Sequence, residues 1–284
     1  MIPSAIEAIK TRTSVRSYQD RELEPQTLQA LRDMLNGPRS GPFGNAVKCS
    51  LIALDGAGKA EVKRLGTYGV IKGAAWYIAA AAAIAPGAME DIGCCLEDVI
   101  IRCTQLGLGT CWLGGSFNRA GFAKRIGLTK DEVLPCVTPV GYAADRRSLL
   151  DRMMRTIAGS QHRKPWAELF FENDFFHPLV EDQKHPLRTV LQCVRIAPSA
   201  SNKQPWRIVK DRDAALHLYL ARTKGYGQWF PGVDLQRINI GIAMSHLTLA
   251  AHELGIKGGW RQTRLALDEG GREYIASWSN VKDA

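Results

Sequence analysis

The sequence predicts an α+β fold built twice in one chain of 284 residues. Three observations carry this. The first is an internal repeat: Asp91-Ile92-Gly93-Cys94-Cys95-Leu96 leads to Gln105-Leu106-Gly107-Leu108-Gly109-Thr110-Cys111-Trp112. Shifted by 148 residues, Asn239-Ile240-Gly241-Ile242-Ala243-Met244 leads to Glu253-Leu254-Gly255-Ile256-Lys257-Gly258-Gly259-Trp260. The segments align without a gap, and Ile, Gly, Leu, Gly and Trp recur at matching places. The second is a collinear pair of helix–turn–strand patterns ahead of each repeat, at an offset of 157 residues. The third is the mixture of helical and strand periodicities throughout. Two related units packed as an internal pseudo-dimer follow; chance likeness of two apolar helices is the alternative.

Taken in order, Pro25 reads as the first residue of a helix through Leu28–Leu35, followed by the turn 37–45 and a strand near Leu51–Leu54. A strand is expected over Ala75–Ile84. Each repeat reads as an almost wholly apolar helix, the pattern of a central element. Leu-Gly ends it, since glycine accepts the left-handed backbone just past a helix. A helix over Arg119–Ile126 and a strand over Val133–Val140 complete the first unit. The second has a helix over Leu187–Ile196, a strand near Arg207–Val209 and strand-like pieces at Arg264–Leu267 and Tyr274–Trp278. The charged, aromatic stretch Leu149–Asp182 reads as a connecting arm over both units. The expected division is 1–178, including the arm, and 179–284.

Composition excludes several classes. Hydrophobic residues are 45% and charged residues 23%, the balance of a folded globular chain. The longest apolar run, Trp76–Ala85, is half the roughly 20 residues of a membrane span. The opening residues lack a basic segment followed by an apolar core, so no membrane partner or secretion is expected. Seven cysteines without a CxxC pair suit a reducing, cytoplasmic setting without a disulfide framework or metal site. The net charge of +9 suits an anionic ligand or simply a solvated basic surface. The basic groups are too short for a nucleic-acid tail, so no nucleic-acid partner is expected.

Several clusters could hold a ligand. Arg12, Ser14 and Arg16 alternate, so an extended backbone turns them one way, and two guanidinium forks with a hydroxyl suit phosphate oxygens. A basic edge strand would have the same pattern. Arg163-Lys164-Pro165 is a weaker basic element. Gly114-Gly115, after Trp112-Leu113, leaves backbone N–H groups open to a planar ligand, or is a simple turn. Ala197-Pro198-Ser199-Ala200-Ser201-Asn202-Lys203-Gln204-Pro205-Trp206 is a rigid polar loop able to hydrogen-bond a heterocycle, or a structural turn capped by Asn202. No hydrolase, phosphate-loop or dinucleotide-loop motif occurs, and the six histidines lack metal spacing. That absence points to a cofactor for the chemistry, and no catalytic side chain is assigned.

Together these segments resemble the nitroreductase family of FMN flavoproteins. Arg12-Thr13-Ser14-Val15-Arg16-Ser17-Tyr18 is similar to the family's opening Arg-Arg-Ser-x-Arg-x-Phe, with Thr13 replacing the second arginine. Residues 197–206 match its Ala-Pro-Ser-x-x-Asn-x-Gln-Pro-Trp. Residues 107–115, Val140-Gly141-Tyr142-Ala143 and Arg163-Lys164-Pro165 are similar to its later segments. The layout resembles a subgroup that fuses two copies of the α/β/α sandwich. In typical members the basic residues come from one protomer and the Ala-Pro-Ser loop from the other. Here the first copy keeps the arginines and the second keeps the loop, so the resemblance implies one complete flavin site per chain, for which a monomer suffices.

The resemblance assigns cofactor binding to Arg12, Thr13, Ser14, Arg16 and Arg163 at the phosphate and ribityl end, with Arg146 or Arg147 as lesser candidates. It assigns Leu113, Gly114 and Gly115 to the neighbourhood of N5 and O4, and Pro198, Ser199 and Asn202 to the ring from the second copy. The implied activity is FMN-dependent oxidation of NADH or NADPH, with hydride passed to a small-molecule substrate such as a quinone or nitroaromatic. The alternatives are ene reduction, dehalogenation or flavin-destroying oxidation, or a sensor or storage protein that binds FMN without efficient turnover.

Overall fold

In the computed structural model, residues 2–37, 39–54, 70–145, 162–226 and 232–280 are described. Two five-stranded sheets form. The first contains β1 (Arg39–Ser40), β2 (Ala46–Ala53), β3 (Trp76–Ala83), β4 (Gly109–Thr110) and β5 (Glu132–Gly141), in the order β1-β2-β3-β5-β4. All its pairings are antiparallel. The second contains β6 (Phe170–Glu172), β7 (Trp206–Lys210), β8 (Leu216–Leu220), β9 (Gly259–Arg261) and β10 (Glu273–Ser279), in the order β6-β7-β8-β10-β9. Four strands of each sheet therefore follow one path: two neighbours, a crossover through a long helix, then an edge strand and an inner strand. That path is the structural counterpart of the sequence repeat.

The helices are α1 (Ala5–Thr11), α2 (Pro25–Leu35), α3 (Ala88–Gln105), α4 (Arg119–Ile126), α5 (Trp166–Leu169), α6 (Pro186–Arg195) and α7 (Leu235–Glu253). Pro25 and Pro186 each stand in the first turn of their helix, where the missing N–H costs nothing. The repeat helices α3 and α7 end at Leu106 and Leu254, followed by Gly107 at φ +74° and Gly255 at φ +68°. They pack against each other at the centre, and the repeated glycines are the reason they can. A Cβ on Gly93 would lie 3.1 Å from the Gly241 Cα and overlap the Ile238 carbonyl oxygen, while one on Gly241 would overlap the Glu90 carbonyl oxygen.

The first sheet is covered on both faces. Leu31, Ile92 and Leu96 pack with Ile78 on one side, and Phe122 of α4 packs with Tyr77 and Leu134 on the other. The second sheet packs its inner face, including Trp206 and Leu218, against Val190, Leu191 and Met244. Among the described residues its outer face is covered by coil: Leu265 and Leu267 lie over Phe171, Val209 and Tyr219. This corrects the strand expected at Arg264–Leu267. The edge strand is Gly259–Arg261 instead, paired with β10 at Ser277, Trp278 and Ser279, which frees 262–272 to serve as a cover.

Among the described residues, two segments cross between the halves. β6, from the connecting arm, pairs in parallel with β7 and so adds an edge to the second sheet. α1, opened by a Ser4–Glu7 capping box, buries Ile6 and Ile9 in the second half's core. The Ile6 N–H donates to Glu253 Oε2 at 3.0 Å, at the far end of α7. Among the described residues, no helix is long and apolar enough to cross a membrane.

Candidate functional site

α1 delivers the first part of the site. It closes at Arg12, its C-cap, and the chain continues extended along the edge of the first sheet. Val15 N–H donates to the Thr110 carbonyl at 2.8 Å, and Ser14 pairs with Thr110 in parallel. Gly109 permits this approach, because a Cβ there would lie 2.8 Å from the Val15 side chain. The segment thus docks as a short extra strand, with Arg12, Ser14 and Arg16 alternating along it.

The second part comes from the loop after α6. Its backbone takes three non-glycine residues into the left-handed region: Ser201 at φ 48°, Asn202 at 54° and Gln204 at 48°. Such conformations cost of order 1–3 kcal/mol each and persist only where their surroundings fix them. Here the Gln204 N–H donates to Ser199 Oγ at 2.9 Å, and the Ala200 N–H donates to Asn239 Oδ1 at 3.1 Å. Lys164 N–H donates to Gln204 Oε1 at 2.8 Å. Asn202 donates from Nδ2 to the His162 carbonyl at 2.8 Å and accepts from Arg163 Nη1 at 3.2 Å. The loop and the arm are therefore one braced unit, with Asn202 holding Arg163 in place.

The two parts meet around a cavity of about 240 Å³. The first half contributes Arg12, Thr13, Ser14, Arg16 and Gly114, the arm Arg163, and the second half Pro198, Ser199 and Asn202. These are nine of the eleven residues singled out from sequence. Leu113 is buried, with its N–H and carbonyl both paired to Val137 at 3.0 Å, and neither it nor Gly115 lines the cavity. Arg146 and Arg147 fall outside the described residues.

The remaining wall was not legible as a site in the sequence. Trp112 lines it together with Leu235, Ile238, Asn239 and Ile242, which lie along α7. Trp112 and Asn239 both stand inside the repeat, and the facing of the two repeat helices was the available signal for them. Cys136 also lines the cavity; burial pushes its thiol well up, so it is a neutral small group there and not a nucleophile.

The cavity is electropositive. Burial is the largest influence lowering the Arg163 pKa, followed by the like charges of Arg12 and Arg195. Arg12 Nε is buried without a hydrogen-bond partner, and Glu97 Oε1 lies 3.9 Å from it. Glu97 is itself fully buried on α3 and spends its oxygens elsewhere: Trp112 Nε1 donates to Oε2 at 2.6 Å, and His246 Nε2 lies 2.8 Å from Oε1. His246 Nδ1 faces the Cys193 carbonyl at 2.8 Å. A carbonyl only accepts, so Nδ1 donates to it, and Nε2 is the ring nitrogen turned to Glu97. This buried pair joins α3 to α7 directly behind Trp112.

The repeat also generates a mirror-related cavity, lined by Phe43, Glu90, Arg237 and Trp260 among others. Trp260 stands where Trp112 stands in the first cavity, and Glu90 where Ile238 stands. Among the described residues its arginines are Arg237 and Arg261, not a cluster of three. Glu90 is buried and ion-paired with Arg237, which also pairs with Glu273. The turn 41–45 is tied down on Asp91, which accepts from Phe43 N–H at 2.8 Å and Asn45 N–H at 2.9 Å.

A family model described as "Putative TM nitroreductase" matches residues 4–251. Among curated proteins, none matches the sequence significantly. A crystal structure described as a putative nitroreductase from Thermotoga maritima superposes with a TM-score of 0.60 at 18% identity, over 98% of this chain and 93% of that one. A nitroreductase family protein from Clostridium difficile gives a TM-score of 0.42 at 19% identity, over 57% and 94%. A nitroreductase with bound FMN from Bacteroides fragilis gives 0.38 at 19% identity, over 52% and 92%. The Thermotoga likeness shows a shared fold over nearly the whole length of both chains. Matched by the family model over residues 4–251, from the start of the chain through nearly all of the second central helix, the chain belongs to this nitroreductase family.

Proposed function

We propose that the chain is an FMN-dependent NAD(P)H oxidoreductase that holds one flavin between its own two halves. The observation that carries this is the meeting of Arg12, Arg16 and Arg163 with the Pro198–Asn202 loop around one cavity. The residues fit FMN on their chemistry. Buried guanidiniums of like charge crowd one another and call for an anion such as a phosphate, which guanidinium forks bind through paired charge-assisted bonds. The aromatic and aliphatic wall of Trp112, Ile238 and Ile242 suits a flat ring system.

In this reading Arg12, Arg16 and Arg163 hold the phosphate, with Thr13 and Ser14 beside them. Ser199 lies at the ring from the second half, and Asn202 acts through Arg163. Gly114 gives the heterocycle room beside the Leu235 side chain, which a Cβ at that position would meet at 2.8 Å. When bound, FMN supplies two-electron chemistry, accepting hydride from NADH or NADPH and passing it to a small organic acceptor such as a quinone or nitroaromatic, in ping-pong order. The protein orients the reactants and excludes water, and the positive field of the arginines favours the more negative, reduced state. In the mirror cavity the described arginines are Arg237, already ion-paired with Glu90, and Arg261, and the turn is bound down on Asp91, so in this reading it holds no second flavin.

The test is spectroscopic. Freshly purified protein should show oxidised-flavin absorption that bleaches under anaerobic NADH or NADPH and returns on adding a quinone. Protein that takes up no FMN refutes the assignment; protein that binds FMN but does not bleach is a binder and not an oxidoreductase.

A further inference from the structure

The two copies of the fold allow a comparison within one chain at equivalent positions 91 and 239. Asp91, in the first turn of α3, clamps the turn 41–45 through both carboxylate oxygens. Phe43 N–H donates to one at 2.8 Å, and Asn45 N–H and Nδ2 donate to the other at 2.9 Å each. Asn239, at the same place on α7, clamps the equivalent loop with one atom only. Its Oδ1 accepts from Ala200 N–H at 3.1 Å. That donor fixes the orientation of the amide, because a flipped Nδ2 would oppose an N–H with an N–H. Nδ2 is then left buried without a hydrogen-bond partner on a residue only 2% exposed. Asn239 lines the cavity between Ile238 and Ile242.

A buried amide donor without a partner is costly unless something accepts from it. The loop does not need it, since Asp91 shows that a residue presenting acceptors alone clamps a loop at this position. We infer that Asn239 is a positioning residue that donates from Nδ2 to a carbonyl oxygen or ring nitrogen on the ligand's flat heterocycle. This inference rests on the FMN reading above. Asn239 lies in the apolar part of the cavity wall, so it serves the ring, while the arginines serve the phosphate. Being neutral, it supports the ring's acceptor edge without adding charge, and a donor there strengthens as the ring gains electron density on reduction.

Asn239→Asp tests this directly, because it keeps an acceptor for Ala200 N–H and replaces the donor with a charged acceptor. The variant should fold as the wild type does, bind FMN at least about tenfold more weakly, and shift the bound flavin's midpoint potential negative. The loss should be the same with riboflavin as with FMN, whereas loss in Arg16→Ala should shrink with riboflavin, which has no phosphate. A folded Asn239→Asp variant with unchanged affinity and potential overturns the inference. Should that variant not fold, Asn239→Ala decides: weakened binding of both flavins supports the role, and unchanged binding overturns it. A wild-type chain that binds no FMN defeats the function itself, which is a separate outcome.

Discussion

Replacing Gly241 by alanine tests the crossing of the central helices. The substitution should gain about 1 kcal/mol of helix propensity, so on local grounds it would stabilise the protein. The packing opposes this. The added Cβ would lie 2.8 Å from Cys94 N and overlap the Glu90 carbonyl, and both are backbone atoms of α3 that cannot rotate away. Overpacking of a tight core costs typically 1–3 kcal/mol, and a backbone clash sits at the upper end. Net destabilisation of about 2 kcal/mol follows, which for a chain of this size lowers Tm by roughly 4–8 °C. Urea unfolding should show a lower midpoint with an unchanged slope. Gly93→Ala should act alike, since its Cβ meets the Ile238 backbone. The double variant should cost less than the sum, because parting the helices once relieves both clashes. An unchanged or raised midpoint in Gly241→Ala would refute this account of the repeat.

Arg16→Ala should weaken FMN binding by about 1.5–3 kcal/mol, roughly ten- to a hundred-fold, with the unfolding midpoint retained; equal affinity in a folded variant removes Arg16 from the phosphate site. A pH effect is expected at Glu273, whose carboxyl the hydrogen-bonded Arg222 guanidinium holds below the usual carboxylate range. Its folded value lies under its unfolded one, so this contribution is complete above the ordinary Glu range near about 4.3 and is lost as pH falls through the folded value. The stability gap between wild type and Glu273→Gln should therefore narrow on acidification, and a constant or widening gap contradicts the assignment.

The elements that announce themselves locally were legible in the sequence. Pro25 marks the start of α2, Leu106-Gly107 and Leu254-Gly255 end the central helices, and the matched glycines and tryptophans reveal the duplication. What depends on distant partners was not. β8, Leu216–Leu220, is a short buried strand with no turn signature of its own, and β6 exists only because the arm reaches β7. The strand expected at Arg264–Leu267 has the apolar spacing of a strand but is drawn over Tyr219 as a cover. Most candidate site residues lie in two motifs that the structure brings to one cavity. Asn239 reads as an ordinary helix residue until Ala200 orients its amide, and the buried Glu97–His246 pair joins positions 149 residues apart without any motif.

Completion of one flavin site by the two halves of one chain is the heart of the proposed function. It is tested most directly by the ratio of FMN to polypeptide in saturated protein, measured together with the molar mass in solution under dilution. One FMN per chain is expected, retained when the protein is diluted to a monomer. Two equivalent flavins per chain, or a flavin lost whenever a dimer dissociates, would contradict it.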